Sequence, residues 1–237
     1  MNIRRTATTG LAVMFTGVAA ADVDLEFRVA TPVVNVGDSF EVQLFAVSDD
    51  DSTQLFSATE TIFAWNPAEM VLLATTSDGA IPSVLNTLPA VGDYGLNEAV
   101  PPADGDGILL FLGQLGAPAE ATPEGALLHT FSFQAIAPSA AAPIDIPGTG
   151  GKGGQTLVVS GKVPGLIITG MLLGVDVEIL GDACFGDFDR DGMVGFSDLL
   201  SLLGAYGTCV GCPADLNGDG EVAFDDVLAL LSAWGPC

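Results

Sequence analysis

Val34–Ala46 reads VNVGDSFEVQLFA. A Gly-Asp turn at Gly37 and Asp38 divides it. Beyond the turn, Phe40, Val42 and Leu44 share one parity, with Glu41 and Gln43 between them. Side chains of an extended chain point alternately to opposite faces, so this pattern predicts a half-buried strand. A helix would need its apolar positions three and four residues apart.

The same rhythm extends outward. Val23, Leu25, Phe27 and Val29 alternate, and TIFAW (Thr61–Trp65), MVLLA (Met70–Ala74), ILLFLG (Ile108–Gly113), HTFSFQAI (His129–Ile136), TLVVS (Thr156–Ser160), LIIT (Leu166–Thr169) and VDVEIL (Val175–Leu180) are further strand candidates. Gly, Pro, Asp and Asn punctuate them. So many strands without a long amphipathic helix predict a mainly β chain, a β-sandwich over residues 22–180.

Ahead of the sandwich, Arg4 and Arg5 precede the apolar run Leu11–Ala20, and small residues follow in VAAAD. That order predicts a secretory signal peptide over residues 1–21. Ten apolar residues are too few to cross a bilayer, which needs roughly 20, so no transmembrane segment is expected in the mature chain. The chain carries 30 acidic against 6 basic residues, a formal charge of −24. Nucleic acid is excluded as a natural partner, because binding it needs clustered Lys and Arg. Cations are favoured.

Within the sandwich, few residues carry chemistry. His129 is the only histidine and shares the parity of Phe131 and Phe133, as expected of a structural residue at a strand start. DDDST (Asp49–Thr53) and PPADGDG (Pro101–Gly107) read as solvated turns. IPGTGGKGG (Ile146–Gly154) superficially resembles a phosphate loop, but Gly153 follows Lys152 where Ser or Thr is required, and Ile146 stands where the first Gly belongs. A flexible connection between strands is expected there.

Residues 181–237 differ in character and repeat internally. With a shift of 28, CFGDFDRDGMVGFSDLLSLLGAYGTC (Cys184–Cys209) lies over CPADLNGDGEVAFDDVLALLSAWGPC (Cys212–Cys237) without a gap, which indicates duplicated structure. Each unit holds the polar spacing of a twelve-residue calcium loop. Asp187, Asp189, Asp191, Met193 and Asp198 take positions one, three, five, seven and twelve, and Asp215, Asn217, Asp219, Glu221 and Asp226 match them. Calcium takes six to eight oxygen ligands. Position seven supplies its backbone carbonyl, so its side chain is free to vary, and Gly192 and Gly220 at six allow a sharp turn. Val194 and Val222 at position eight are expected to pair across the two loops and bury their side chains. After each loop the apolar period becomes helical, at Leu199, Leu200, Leu202 and Leu203, then at Val227, Leu228, Leu230, Leu231 and Trp234. No helical period precedes either loop. The expectation is two Ca2+ ions, each held by a loop followed by one helix.

The four cysteines all lie in this tail, and export favours their oxidation. Joining Cys184 to Cys209 would span a helix roughly 15 Å or more in length, too far for a disulfide unless the chain folds back. A pseudo-twofold axis relating the units would instead bring Cys184 to Cys237 and Cys209 to Cys212, and these pairs are expected. A zinc site lacks a supporting His, and a redox role lacks a thioredoxin-like setting.

Two resemblances follow. Loop–helix units with Asp at position twelve resemble a type I dockerin over about residues 182–237. VNVGDSFEVQLFA, FAWNPAEMVLLA (Phe63–Ala74), GDGILLFLG (Gly105–Gly113) and PEGALLHTFSFQAIA (Pro123–Ala137) are similar to a cohesin-type module over about residues 23–180, with Asn66 where Asp is more usual before the proline. Carbohydrate-binding modules share this rhythm. The cohesin resemblance implies a jelly-roll-like sandwich that binds another protein through one sheet face. The dockerin resemblance implies a small all-α domain that binds calcium and docks to a cohesin-type module. Dockerins often use Ser or Thr at loop positions ten and eleven for that contact, whereas Phe196 and Ser197, then Phe224 and Asp225, stand here, and the usual Lys-Arg pair of the following helix is missing. Phe196 and Phe224 are expected in the core. The function ranked first is a secreted, non-enzymatic calcium-binding adaptor in an extracellular polysaccharide-processing or cell-surface system. A glycan-binding protein ranks second, and a glycoside-hydrolase-associated enzyme component third.

Overall fold

The computed structural model describes residues 22–89, 95–114, 116–181 and 184–237. The signal peptide expected over 1–21 lies outside the described residues. In chain order the first strands are β1 (Val23–Val29), β2 (Val33–Asn35), β3 (Ser39–Ser48), β4 (Gln54–Trp65), β5 (Met70–Thr76), β6 (Ser83–Thr87), β7 (Asp106–Gly113) and β8 (Ala119–Ala121). Then come β9 (Ala126–Ala135), β10 (Ser139–Asp145), β11 (Thr149–Gly150), β12 (Gly154–Gln155), β13 (Leu157–Ser160), β14 (Thr169–Leu173) and β15 (Val175–Leu180).

They form a jelly-roll-like sandwich of two sheets. Sheet A has the order β14-β1-β3-β9-β5, and sheet B the order β2-β15-β10-β4-β7-β6, with β8 and β13 also paired to β4. Two strand pairs are parallel, β1 with β14 and β15 with β2. The chain passes from sheet A to sheet B between β1 and β2, and again between β14 and β15. The last two sandwich strands thus lie beside the first two.

The alternation seen in the sequence becomes the core. Leu25, Phe27, Val42, Leu44, Phe131 and Phe133 of sheet A meet Phe63, Trp65, Leu109 and Phe111 of sheet B, all buried in one cluster. Phe131 packs edge-on to Phe27 at 5.7 Å between ring centroids and against Phe63 at 4.7 Å. The buried Trp65 donates Nε1–H to the Met70 carbonyl at 3.1 Å, which satisfies its one polar atom.

Several local expectations change. LIIT makes a single bridge at Ile167 and enters a strand only at Thr169, the first residue of β14 (Thr169–Leu173). Its docking point is Asp24, whose Oδ1 accepts the Met171 N–H at 2.5 Å, and a Cβ on Gly170 would collide with that carboxylate. IPGTGGKGG connects β10 to β13 and forms most of the β11–β12 hairpin. A Cβ on Gly154 would come within 3.0 Å of Leu96, and one on Gly150 within 3.0 Å of Ile62. The glycines serve close packing over a small cluster of Ile62, Leu96 and Ile108.

The tail contains β16 (Met193–Val194), α1 (Phe196–Gly204), β17 (Gly207–Thr208), β18 (Glu221–Val222), α2 (Phe224–Ser232) and β19 (Gly235–Pro236). It has its own small core of Val194, Leu202, Ala214, Val222 and Leu230. Among the described residues no helix is long and apolar enough to cross a membrane.

Candidate metal centre in the C-terminal repeat

The two tail units exchange strands. β16 pairs with β19, and β17 with β18. A shift of 28 converts one pairing into the other, Met193–Pro236 into Glu221–Thr208 and Val194–Gly235 into Val222–Gly207. The flanking bonds match too: Cys237 N–H donates to the Gly192 carbonyl at 2.9 Å, and Cys209 N–H to Gly220 at 3.0 Å. Val194 and Val222 are both buried, but they do not pair with each other. Each instead pairs with the strand that follows the other unit's helix.

The disulfides obey the same symmetry. Cys184 is joined to Cys237 with Cα atoms 5.9 Å apart, and Cys209 to Cys212 at 5.7 Å. One bridge spans 53 positions and the other 3, yet a shift of 28 carries Cys184 onto Cys212 and Cys209 onto Cys237.

Both twelfth-position carboxylates clamp their loops through backbone amides. Asp198 Oδ1 accepts from Phe188 N–H at 2.7 Å and Asp189 N–H at 3.4 Å, and its Oδ2 accepts from Gly195 N–H at 2.8 Å. Asp226 repeats this with Leu216 at 2.8 Å, Asn217 at 3.2 Å and Ala223 at 2.8 Å. The amides hold the Asp226 carboxyl below the usual carboxylate range, Ala223 contributing most. Each carboxylate thus ties the loop start to the first turn of the helix, where negative charge is also favoured. The turn itself needs Gly at position six, for Gly192 has φ +85° and Gly220 φ +91°.

The first positions differ. Asp215 Oδ1 accepts from Gly218 N–H at 2.8 Å and Asp219 N–H at 3.1 Å, and its Oδ2 from Gly220 N–H at 2.8 Å. Asp187 is 6% exposed, accepts one amide, that of Gly192 at 3.2 Å, and its Oδ1 is buried with no partner. The carboxylates of Asp187, Asp189 and Asp191 converge, with one oxygen from each within 4.8 Å of the others. Burial pushes the Asp189 carboxyl up, with Asp198, Asp191 and Asp187 adding repulsion against the amide of Asp191. A buried carboxylate oxygen without a donor is costly, and a hard cation satisfies it. The first loop therefore fits a calcium ion through Asp187, Asp189 and Asp191. Asp198 does not join this converging group, since its oxygens are turned to amides. Met193 and Glu221 lie on β16 and β18, each with its N–H bonded to the position-five carboxylate, at 2.8 and 2.9 Å.

Phe196 and Phe224 are not core residues; they are 67% and 64% exposed. The helices bury only Asp198 and Leu202, and Asp226 and Leu230. Phe196, Leu200 and Leu203 form an exposed stripe on α1, continued by Tyr206, and Phe224, Leu228, Leu231 and Trp234 form its counterpart on α2. The helical apolar period was legible, but it runs wider than the small core can cover.

The faces of the sandwich also differ. Outside sheet A lie Glu26, Arg28, Glu41, Gln43, Ser132 and Gln134, with Arg28 paired to Glu26 at 3.1 Å and stacked over Phe45 at 4.4 Å. Outside sheet B, Leu85 and Leu112 are exposed, and with Ala58, Glu60, Leu110 and Leu157 they line a shallow depression of about 250 Å3. Among the described sandwich residues no aromatic ring stands exposed. Tyr94 lies outside the described residues.

His129 is buried, and its Nδ1 lies 2.8 Å from Asn86 Oδ1, which links β9 of sheet A to β6 of sheet B. Burial lowers its pKa to about 4. PPADGDG places Asp106 with one buried, unpartnered oxygen and a carboxyl pushed up by burial, Asp104 and Glu98. Those three acids do not converge as the first-loop acids do.

No protein-family model and no curated protein matches the chain. Solved structures with a similar strand arrangement are cohesin modules. The cohesin module of a Clostridium perfringens family 33 glycoside hydrolase is 18% identical with a TM-score of 0.49, over 69% of this chain and 100% of that one. A chain of a type I cohesin–dockerin complex from Clostridium thermocellum gives 15% and 0.46, over 66% and 99%. A non-cellulosomal cohesin from the archaeon Archaeoglobus fulgidus gives 7% and 0.42, over 68% and 92%. With TM-scores below 0.5, these likenesses carry no argument about what this chain binds.

Proposed function

We propose that this chain is a secreted, non-enzymatic adaptor that mediates protein–protein assembly. Its tail acts as a dockerin-like module with two calcium ions, and its sandwich presents a protein-binding face. The observation that carries the assembly reading is uncovered apolar surface on a chain of formal charge −24, on the outer face of sheet B and on both tail helices. Contiguous apolar surface of this kind marks interaction sites. On the outer face of sheet B a protein partner, with a cohesin-type module as its favoured form, fits better than a glycan, which would call for exposed aromatic rings that the described sandwich residues do not offer. An extracellular polysaccharide-processing or cell-surface system suits the pairing.

The cation reading rests on Asp187, whose buried oxygen lacks a donor. Asp187, Asp189 and Asp191 would hold the first ion, with the Met193 carbonyl, and Asp215, Asn217, Asp219 and the Glu221 carbonyl the second. Bound calcium would supply positive charge that offsets part of each loop's negative charge. Asp198 and Asp226 hold the amides of their loops in place and align the start of each helix.

Calorimetric titration of the full chain with calcium is expected to fit two sites. EDTA is expected to lower helical circular dichroism and the protease resistance of residues 182–237 while the sandwich persists. Surface plasmon resonance against a panel of purified cohesin-type modules, with calcium and with EDTA, tests the partner. Absence of calcium-dependent binding across the panel would remove the cohesin assignment, and a flat calcium titration would remove the cation.

A further inference from the structure

The Cys184–Cys237 bridge touches the first loop at two places. The Asp187 N–H donates to the Cys184 carbonyl at 3.1 Å, and Cys237 N–H donates to the Gly192 carbonyl at 2.9 Å. Around the Asp187 side chain, Oδ2 lies 3.5 Å from Cys237 Sγ and 3.9 Å from Cys184 Sγ. The bridge thereby fixes loop positions one and six and packs against the carboxylate with the orphaned oxygen.

Resting on the calcium reading of the first loop, we infer that this disulfide is a redox-sensitive positioning element for that ion. Reduction weakens calcium binding at the first loop and leaves the second loop's ion in place. Two physical effects act together. A disulfide sulfur has no hydrogen to donate, so the Asp187 oxygens stay available to a cation. Reduction creates two S–H groups beside Oδ2, and thiols donate to carboxylates. Opening the bridge also frees Cys237, which closes the loop through the two-residue strand β19. At the second loop Asp215 takes three backbone amides, from Gly218, Asp219 and Gly220, so its carboxylate is oriented without help from sulfur.

The chemistry is thiol–disulfide exchange with a dithiol reductant. A reductant thiolate attacks one sulfur and forms a mixed disulfide, and its second thiol then closes on the first. The Cys184–Cys237 bond breaks and one disulfide forms in the reductant. Two electrons and two protons pass to the two protein cysteines.

The test uses the full chain and calcium alone. Titration calorimetry is run on the oxidised protein, on the protein reduced with dithiothreitol, on C184S/C237S, and on C209S/C212S. In the reduced protein and in C184S/C237S one of two sites is expected to weaken by about tenfold or more, the usual effect of removing a group that supports a metal ligand. In C209S/C212S that site is expected to stay within about twofold, well below that range. The double variant could lose its fold, so the reciprocal effect is read in the wild type. Affinity linkage works in both directions, and calcium should therefore raise the dithiothreitol needed to alkylate Cys184 and Cys237 by about the same factor, as read by peptide mass spectrometry. Two filled sites with no calcium effect on that alkylation would overturn the inference. A flat titration of the oxidised chain would overturn it together with the calcium reading, and is recognised before any reductant is added.

Discussion

The two tail loops share a backbone and differ in how their first carboxylates are satisfied. Strand exchange, bridges and position-twelve clamps superpose under a shift of 28. Yet Asp215 takes three amides, while Asp187 takes one and keeps a buried oxygen without a donor. At position four, Gly218 and Arg190 both adopt positive φ, +76° and +57°, a conformation that costs a Cβ-bearing residue. The first loop thus holds its shape against unfavourable local chemistry, and the second by its own hydrogen bonds. Duplication preserved the frame and let the electrostatics diverge.

The bridges offer the largest test of this comparison. Cross-linking stabilises by restricting the unfolded chain, more for longer loops. Cys184→Ser with Cys237→Ser is expected to cost the tail about 4 kcal/mol, and Cys209→Ser with Cys212→Ser about 2 kcal/mol. Urea denaturation followed by tail helicity reads both, and equal losses would break the comparison. Next, Asp198→Ala strips three amides of their acceptor and is expected to cost on the order of 3 kcal/mol. Asp226→Ala should act in the same direction, since its contacts are equivalent; a neutral result at either position would show that the clamps are not shared supports.

Acid titration separates tail from sandwich. His129 has its pKa lowered to about 4 by burial, so the folded state resists its protonation. Its contribution is complete above the unfolded value of about 6.5 and is lost as pH falls towards 4, a loss on the order of 3 kcal/mol. Asp226, held low by its amides, supports the tail above the ordinary carboxylate range and loses that support only as pH falls through its folded value. The sandwich should therefore weaken first, between pH 6.5 and 4. His129→Leu should flatten that part of its thermal-melt profile. The smallest effect is expected at Arg190→Gly. Relief of the left-handed strain, partly offset by the greater freedom of glycine when unfolded, should change tail stability by less than about 1 kcal/mol.

Much of this was legible in the sequence. Parity placed Phe40, Val42, Leu44, Phe131 and Phe133 inward, and the repeat aligned the loops because ligand spacing leaves little freedom. Other features left no mark on the pattern. β10 is Ser139–Asp145, rich in Ala and containing Pro143, and it forms a strand through its neighbours rather than its propensity. The strand Thr169–Leu173 depends on Asp24, 147 positions from the Met171 amide that it accepts. Phe196 and Phe224 read as core because they are aromatic, but hydrophobicity alone does not say whether a core is large enough to receive them. The partnerless Asp187 oxygen depends on three-dimensional packing, which spacing cannot express.

The bridge from Cys184 to Cys237 also changes what a proteolytic cut can do. It closes the repeat into a covalent ring. A nick between residues 185 and 236 opens that ring but sheds no fragment, because both pieces remain joined through sulfur. A nicked molecule would keep its mass, with its second helix still tethered beside the sandwich, and only reduction would let that piece go.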